Sequence, residues 1–149
     1  MLRKKVKYED LNGVEREEVF DFNLTEAELI NLQNEVPGGF DSMLEGIAKA
    51  ENGPAVYREL ERIIGQSYGI ATDDGRNIDK NPEHFRLFKT SPAYAALIMN
   101  LMEEDGAMEN FLDSIMPRRW MKEVERLKDE HGSYDKAIEY IKSTQKVID

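Results

Sequence analysis

The chain has 149 residues and a formal net charge of −10, which comes from 30 acidic and 20 basic residues. This length allows one domain with a hydrophobic core, and the acidic balance argues against nucleic-acid binding, because affinity for phosphates comes mainly from Lys and Arg. The chain has no cysteine, which excludes disulfides and thiolate metal sites, and no apolar run approaches the roughly 20 residues that span a bilayer.

The first predicted element is a β-hairpin over residues 4–23, because Asn12-Gly13 lies between two alternating segments and Asn-Gly favours tight hairpin turns. A strict two-residue loop would put the apolar side chains of the two strands on opposite faces, whereas one added residue or a bulge puts them on one face. We expect the longer loop, since a half-buried ribbon should bury one face. The side chains concerned are Val6, Tyr8, Phe20 and Phe22.

The two strands of this hairpin carry opposite charge. Opposite charges that face each other stabilise a strand pair modestly, so we expect the basic cluster to offset the acidic one rather than to bind nucleic acid. Because an isolated hairpin is marginally stable, we also expect it to pack on helices or to pair with another edge. The charged residues are Arg3, Lys4, Lys5 and Lys7 on the first strand and Glu15, Glu17 and Glu18 on the second.

Helical periodicity continues from the hairpin to residue 116. Thr25 and Glu28 form a capping box at the start of a helix over 26–35, and Gly69 is expected to end a later helix with positive φ. A polar loop is expected over 72–81. Five other helices are predicted. Three cover about 41–51, 54–68 and 106–116, a short one starts at Pro82, and another is capped by Ser91 with Pro92 at its first position.

The end of the chain differs in charge from the rest. Residues 1–116 carry a net charge of −11 and residues 117–149 carry +1, and two amphipathic helices on either side of His131-Gly132 are predicted there. We therefore predict an α+β fold that is mostly α. An N-terminal hairpin is followed by a bundle of short helices in a core domain over 1–117, and a C-terminal helical hairpin forms an extension over 118–149.

Patterns that carry catalysis or metal binding are missing from the sequence. There is no Gly-x-Ser-x-Gly elbow and no phosphate-binding glycine loop, and the only histidines are His84 and His131. The acidic loop that starts at Asp73 resembles an EF-hand, but Ile78 stands where glycine is needed and His84 where glutamate is needed. We expect a non-enzymatic protein without catalytic, cofactor-binding or metal-binding residues, and the loop to be a solvated turn.

Apolar stripes over 94–116 are the candidate binding surface. Methionines are concentrated in this half of the chain, and methionine fills cores as well as surfaces that accept several apolar partners. Core filling and partner binding therefore both remain open for these residues. Only residues that are exposed can bind a partner, and Met108 and Met116 are the expected exposed pair. The candidate partner-binding residues are Tyr94, Leu97, Ile98, Leu101, Met108, Phe111, Leu112, Ile115 and Met116.

Several segments together resemble tail assembly chaperones of long-tailed, siphovirus-type phages of Gram-positive bacteria. The hairpin and first helix over 5–29 resemble the start of that family. The helix that opens at Thr90-Ser91-Pro92-Ala93-Tyr94 and the one that closes at Phe111-Leu112-Asp113-Ser114-Ile115-Met116-Pro117 resemble the end of its core. The resemblance covers roughly residues 4–117, and the tail departs from the expected pattern.

This resemblance implies a non-enzymatic protein that binds the long tape measure protein and keeps it soluble while tail tube subunits polymerise around it. The major tail protein is a second candidate partner, and weak homo-oligomers are expected, as relatives tend to form multimers. The protein would act in the cytoplasm of the bacterial host and be absent from the mature virion. Residues 118–149 would be a lineage-specific extension or part of a longer, frameshifted product.

Two other functions remain open from the sequence. An acidic protein of this size can inhibit DNA-binding proteins by mimicking DNA, which requires a phosphate-like row of carboxylates on one face. The acids here are scattered over nearly every predicted element, which weakens that interpretation. The other is a generic phage or prophage adaptor protein.

Overall fold

A computed structural model of the protein describes residues 1–35 and 53–118, and the predicted helix near 41–51 and the C-terminal helical hairpin lie outside these ranges. The described residues have an α+β fold that is mostly α, as predicted. Its elements are β1 (Leu2–Glu9), β2 (Glu15–Phe22), α1 (Glu26–Glu35), α2 (Gly53–Ser67), β3 (Tyr68–Ala71), β4 (Ile78–Asp79), α3 (Pro82–Lys89), α4 (Pro92–Glu103) and α5 (Ala107–Ile115).

The described residues belong to two compact units. The first unit consists of 1–24 and 64–116, and the second contains 25–35 and 53–63. In the second unit, α1 begins with the predicted capping box, in which the Glu28 backbone N–H donates to Thr25 Oγ1 at 3.2 Å and the Thr25 N–H donates to the Glu28 carboxylate at 3.0 Å. The division into domains 1–117 and 118–149 stays a prediction.

The N-terminal hairpin has the longer loop that its apolar pattern predicts. Asp10 donates its N–H to the Val14 carbonyl at 2.9 Å, and Gly13 adopts a φ of 79°, which is the left-handed conformation of a three-residue hairpin loop with a glycine bulge. This register pairs Val6 with Glu18 and brings the apolar side chains onto one face. That face comprises Leu2, Lys4, Val6, Tyr8, Arg16, Glu18, Phe20 and Phe22.

Asp10 holds this loop through both of its carboxylate oxygens. Oδ1 accepts from the backbone N–H groups of Asn12 and Val14, each at 2.9 Å, and Oδ2 accepts from Arg16 Nε at 2.6 Å. The hydrogen bond from Arg16, followed by that from Val14, lowers the pKa of Asp10 below its ordinary value. The charged carboxylate is therefore the form that the folded hairpin stabilises.

A second, smaller hairpin was missed by the sequence patterns. The sheet has the order β1-β2-β3-β4 and is antiparallel throughout, with Asp21 of β2 paired to Gly69 of β3. The prediction that Gly69 ends α2 with positive φ is wrong: it lies in β3, where a Cβ would stand 2.7 Å from the carbonyl oxygen of Asp79. The predicted polar loop over 72–81 is also partly wrong, since Ile78–Asp79 forms β4.

Lys80, just after β4, connects the ends of two other elements. Its Nζ donates to the carbonyl of Asn23 at 2.6 Å and to the carbonyl of Gln66 at 2.9 Å. Gln66 lies in the last turn of α2, where backbone carbonyls lack helical partners and the helix dipole favours a cation. The lysine thus fixes the small hairpin to the ends of β2 and α2.

An aromatic cluster around Phe88 forms the centre of the first unit. The Phe88 ring stacks on Phe20 and Tyr68, with centroid distances of 4.7 and 4.4 Å, and meets Tyr94 edge-on at 5.5 Å. Phe88 is buried, and burial raises the pKa of Tyr68. One side chain of α3 therefore joins β2, β3 and α4.

The last two helices begin as the sequence predicts. Ser91 caps α4 by accepting a hydrogen bond from the Tyr94 N–H at 3.3 Å, with Pro92 at the first helical position. Both α4 and α5 pack against β1, and the Leu24 N–H donates to the carbonyl of Ile115 at 2.9 Å. Within the described ranges, no helix has the length and apolarity needed to cross a membrane.

We expect replacement of Phe88 by alanine to destabilise the protein far more than replacement of its neighbour Leu87. Phe88→Ala should lower the free energy of unfolding by about 3–5 kcal/mol, because it removes a buried ring and leaves a cavity. Leu87 is 56% exposed, so Leu87→Ala should change stability by under about 0.5 kcal/mol. Urea unfolding followed by circular dichroism measures both, and equal losses in the two variants would contradict the central role of Phe88.

The carboxylate of Asp10 should make the hairpin sensitive to acid. Because its folded-state pKa is lowered, its contribution to stability is complete above the ordinary aspartate pKa of about 3.9 and is lost as the pH falls through the lowered value. Asp10→Asn should therefore be less stable than wild type at pH 7, and the difference should shrink as the pH falls through the lowered pKa of Asp10. Asp73→Asn, in an exposed turn, is the control and should show no such difference at pH 7.

Candidate partner-binding surface

Most of the residues predicted to bind a partner lie in the core of the first unit. Eight of the nine are at most 6% exposed, so in this structure they stabilise the protein itself. Their role in partner binding stays a prediction. These eight are Tyr94, Leu97, Ile98, Leu101, Phe111, Leu112, Ile115 and Met116.

The ninth residue, Met108, is half-buried near the start of α5. The expectation that Met116 is exposed with it is wrong, since Met116 is 6% exposed. A glutamate at position 116 would bring a charge into the core, which is strongly unfavourable without a partner. A charge at this position would therefore disturb the fold together with any binding surface.

The outer face of α4 carries an apolar surface that the sequence patterns did not assign. Ala95, Met99 and Met102 are exposed at i, i+4 and i+7, which places them on one side of the helix; we call these three residues the α4 outer stripe. Met99 is 52% exposed and Met102 is 45% exposed. The buried face of α4 includes Leu101, whereas the adjacent Met102 lies on the exposed side.

Acidic residues follow the α4 outer stripe along the chain. Glu103, Glu104 and Asp105 are exposed, and the Asn100 side-chain amide donates to the Glu104 carboxylate. The last turn of α4 contains no basic residue, although the C-terminal end of a helix favours cations. This end of the stripe therefore has a negative potential that favours basic groups on a partner.

Other exposed large apolar side chains lie outside α4: several are in the N-terminal hairpin and the rest are single positions on α1, β3 and α3. Scattered exposed apolar residues are normal on soluble proteins, whereas a contiguous patch indicates a binding surface. The α4 outer stripe is distinguished by helical spacing and by two flexible methionines. The scattered residues are Leu11, Val14, Val19, Ile30, Ile70 and Leu87.

The turn that resembles an EF-hand is a solvated polar turn, as predicted. Asp74 Oδ1 accepts from the Thr72 hydroxyl at 2.7 Å and from the Arg76 N–H at 3.0 Å. This carboxylate oxygen is therefore hydrogen-bonded to other residues of the same turn. These bonds lower the pKa of Asp74, the one from Thr72 most strongly. Over 1–35 and 53–118, the structure brings together no three His, Cys, Asp or Glu residues that could hold a metal ion.

The described residues thus form an α+β structure in which one helix has an exposed apolar face. A family model described as phage tail assembly chaperone matches residues 1–147. The chain belongs to the phage tail assembly chaperone family, and the matched range includes the segment after Pro117. Neither the search of curated proteins nor the search of solved structures gave a match.

Family membership gives the protein a chaperone role in the assembly of phage tails. Membership of a chaperone family implies a non-enzymatic role. Phage tail proteins are the class of partner that it implies. The α4 outer stripe is the described apolar surface best suited to such a partner.

Proposed function

We propose that this chaperone binds the tape measure protein of its phage and keeps it soluble while the tail tube is assembled around it. The observation that carries the proposal is the α4 outer stripe, an apolar helix face that the fold leaves exposed in a member of a tail assembly chaperone family. The phage would be a siphovirus of a Gram-positive host. The chaperone would act in the host cytoplasm and be absent from the mature virion.

The stripe suits a long helical partner with varied apolar faces. Before it is covered by the tail tube, a long helical protein exposes apolar stripes, and exposed apolar surface leads to aggregation. Methionine side chains are flexible and polarizable, so Met99 and Met102 can adapt to different apolar residues. An amphipathic helix that lies along this face is recognised through residues at helical spacing.

Charge supports the same partner chemistry. The net charge of −10 keeps a chaperone complex dispersed through self-repulsion. The acidic residues at the end of α4 attract basic groups that flank the partner's apolar face. A partner helix with an apolar stripe and basic flanks is therefore the form that fits best.

The hairpin argues against the DNA-mimic alternative. On the face formed by the odd-numbered residues, basic residues of β1 pair with acidic residues of β2: Lys5 lies 3.1 Å from Glu17, and Arg3 lies 3.7 Å from Asp21. The predicted charge pairing is found for Glu17, whereas Glu15 lies opposite Glu9 and Glu18 lies opposite Val6. A DNA mimic needs an uninterrupted row of carboxylates, and these cations interrupt it.

We also propose weak, concentration-dependent self-association and the major tail protein as a second partner. Several copies on one long tape measure protein would combine weak individual contacts into tight overall binding. A small stripe on each copy would then be sufficient.

Replacing both exposed methionines by glutamate should abolish the chaperone activity and preserve the fold. Met99→Glu/Met102→Glu changes surface positions, each of which typically affects stability by under about 0.5 kcal/mol, yet places two charges where the partner's apolar face must lie. The measurement is the soluble fraction of the tape measure protein on co-expression. Wild type should raise it, and the double variant should leave it at the level seen without chaperone.

The matched control is Ile30→Glu, because Ile30 is 62% exposed on a different helix, α1. It should raise tape measure solubility as wild type does. If wild type gives no increase, the tape measure proposal is wrong and the adaptor alternative gains support. If the double variant is folded and fully active, the α4 outer stripe is not the site, and the tape measure proposal then requires a different binding surface.

A further inference from the structure

The N-terminal hairpin leaves two strand edges unpaired within the described ranges. β1 is the outermost strand of the sheet, so its outer edge has no neighbour there. β3 pairs with β2 at Asp21 and Phe22, which leaves the edge of Glu15–Phe20 without a paired strand. Such edges present backbone N–H and C=O groups to any chain that can add a strand.

The ladder of the hairpin determines which residues direct their backbone groups outward. The bond from the Asp10 N–H to the Val14 carbonyl makes the even-numbered pairs the hydrogen-bonded ones, because pairs alternate in an antiparallel ladder. The odd-numbered residues therefore direct their N–H and C=O groups away from the hairpin. On β1 they are Arg3, Lys5, Lys7 and Glu9, and on the free part of β2 they are Glu15, Glu17 and Val19.

The two edges differ in charge, which decides how copies can pair. Two β1 edges centred on Lys5 would put Lys5 opposite its own copy and Arg3 opposite Lys7. Two β2 edges centred on Glu17 would put this carboxylate opposite its own copy. Like charges directly opposite each other destabilise a strand pair. These two centred registers, in which an edge pairs with its own copy, are therefore disfavoured.

We propose that β1 of one copy adds, antiparallel, to the free edge of β2 in a second copy. The inference specifies the surface for the self-association proposed above and rests on that proposal. One register satisfies three conditions. Residues whose backbone groups point outward on one edge pair with such residues on the other, and the apolar faces of the two hairpins lie on the same side of the joined sheet. No two like charges stand opposite each other. This register places Lys4 opposite Glu18, Lys5 opposite Glu17 and Lys7 opposite Glu15.

The side chains concerned are accessible and can reach across strands. Lys5 and Lys7 are largely exposed, and within one copy they lie 3.1 and 3.8 Å from Glu17. In the proposed contact, Glu17 would lie between lysines of two copies. Because surface charges are screened by salt, the association should weaken as salt concentration rises.

The contact joins two different surfaces, so each copy keeps one free edge of each kind. Such head-to-tail contacts close into a ring or continue to add copies. The average mass should therefore rise past that of a dimer as the protein concentration increases. A contact between identical surfaces would instead stop at the dimer.

A charge-swapped variant tests the proposal without opposing like charges inside the hairpin. K4E/K5E/K7E/E15K/E17K/E18K exchanges the signs of both edges, so it should remain folded and associate with itself. It should not associate with wild type, because every mixed contact opposes like charges, which suppresses wrong partners. Native mass spectrometry of an isotope-labelled mixture should show mixed species reduced about tenfold or more below the statistical proportion.

Mixed species at the statistical proportion, or a folded swapped variant that stays monomeric, would overturn the proposal. A second variant blocks the edge without changing the partner's charges. Lys5→Pro removes an outward N–H that the hairpin does not use, and proline is tolerated at such edge positions. It should be monomeric at concentrations where wild type associates, and association equal to that of wild type would overturn the proposal.

A wild-type protein that remains monomeric at high concentration would also overturn the proposal of strand-edge pairing.

All of these experiments use the chaperone alone, without a tape measure protein. Their outcome is therefore independent of the solubility assay for the proposed function. A failure of edge pairing and a failure of tape measure binding can be distinguished.

Discussion

The packing around Phe88 is the interaction on which the arrangement of the first unit depends. Its ring stacks on Phe20 and Tyr68 and meets Tyr94 edge-on, so α3 fixes the sheet and α4 against each other. Aromatic contacts of this kind contribute beyond the area that they bury. With its inner side committed to this core, α4 presents Met99 and Met102 outward. The exposure of the proposed binding surface is thus a consequence of which side of α4 packs on the aromatic cluster.

Local signals in the sequence were sufficient for the hairpin and for most helix starts. Asn12-Gly13 and the apolar alternation determined the loop, because only one register buries a single face. The small hairpin was missed because β3 follows α2 directly and has four residues, too few for a clear alternation. Gly69 added to the error, since glycine ends helices and also permits close backbone approach. Only the tertiary pairing with Asp21 decides between these roles.

The candidate site was less predictable than the fold for a physical reason. Helical periodicity identifies residues that share a face, but α4 is apolar on nearly every side, so the pattern does not show which face is buried. Leu101 and Met102 are adjacent and both apolar, yet the first is 2% exposed and the second 45%. The charges of the hairpin were more informative, because alternation together with the register determines which residues stand opposite each other.

In the proposed account, the α4 outer stripe contacts the partner and the two charged strand edges join neighbouring copies of the chaperone. Several copies that associate weakly would then cover one long partner. The central claim is that the stripe contacts the tape measure protein, and site-specific photo-crosslinking in phage-infected cells tests it most directly. A benzophenone-bearing residue in place of Met99 should crosslink to the tape measure protein, as identified by mass spectrometry, whereas the same residue in place of Ile30 should not. Absence of this crosslink from position 99, or equal crosslinking from both positions, would contradict the account.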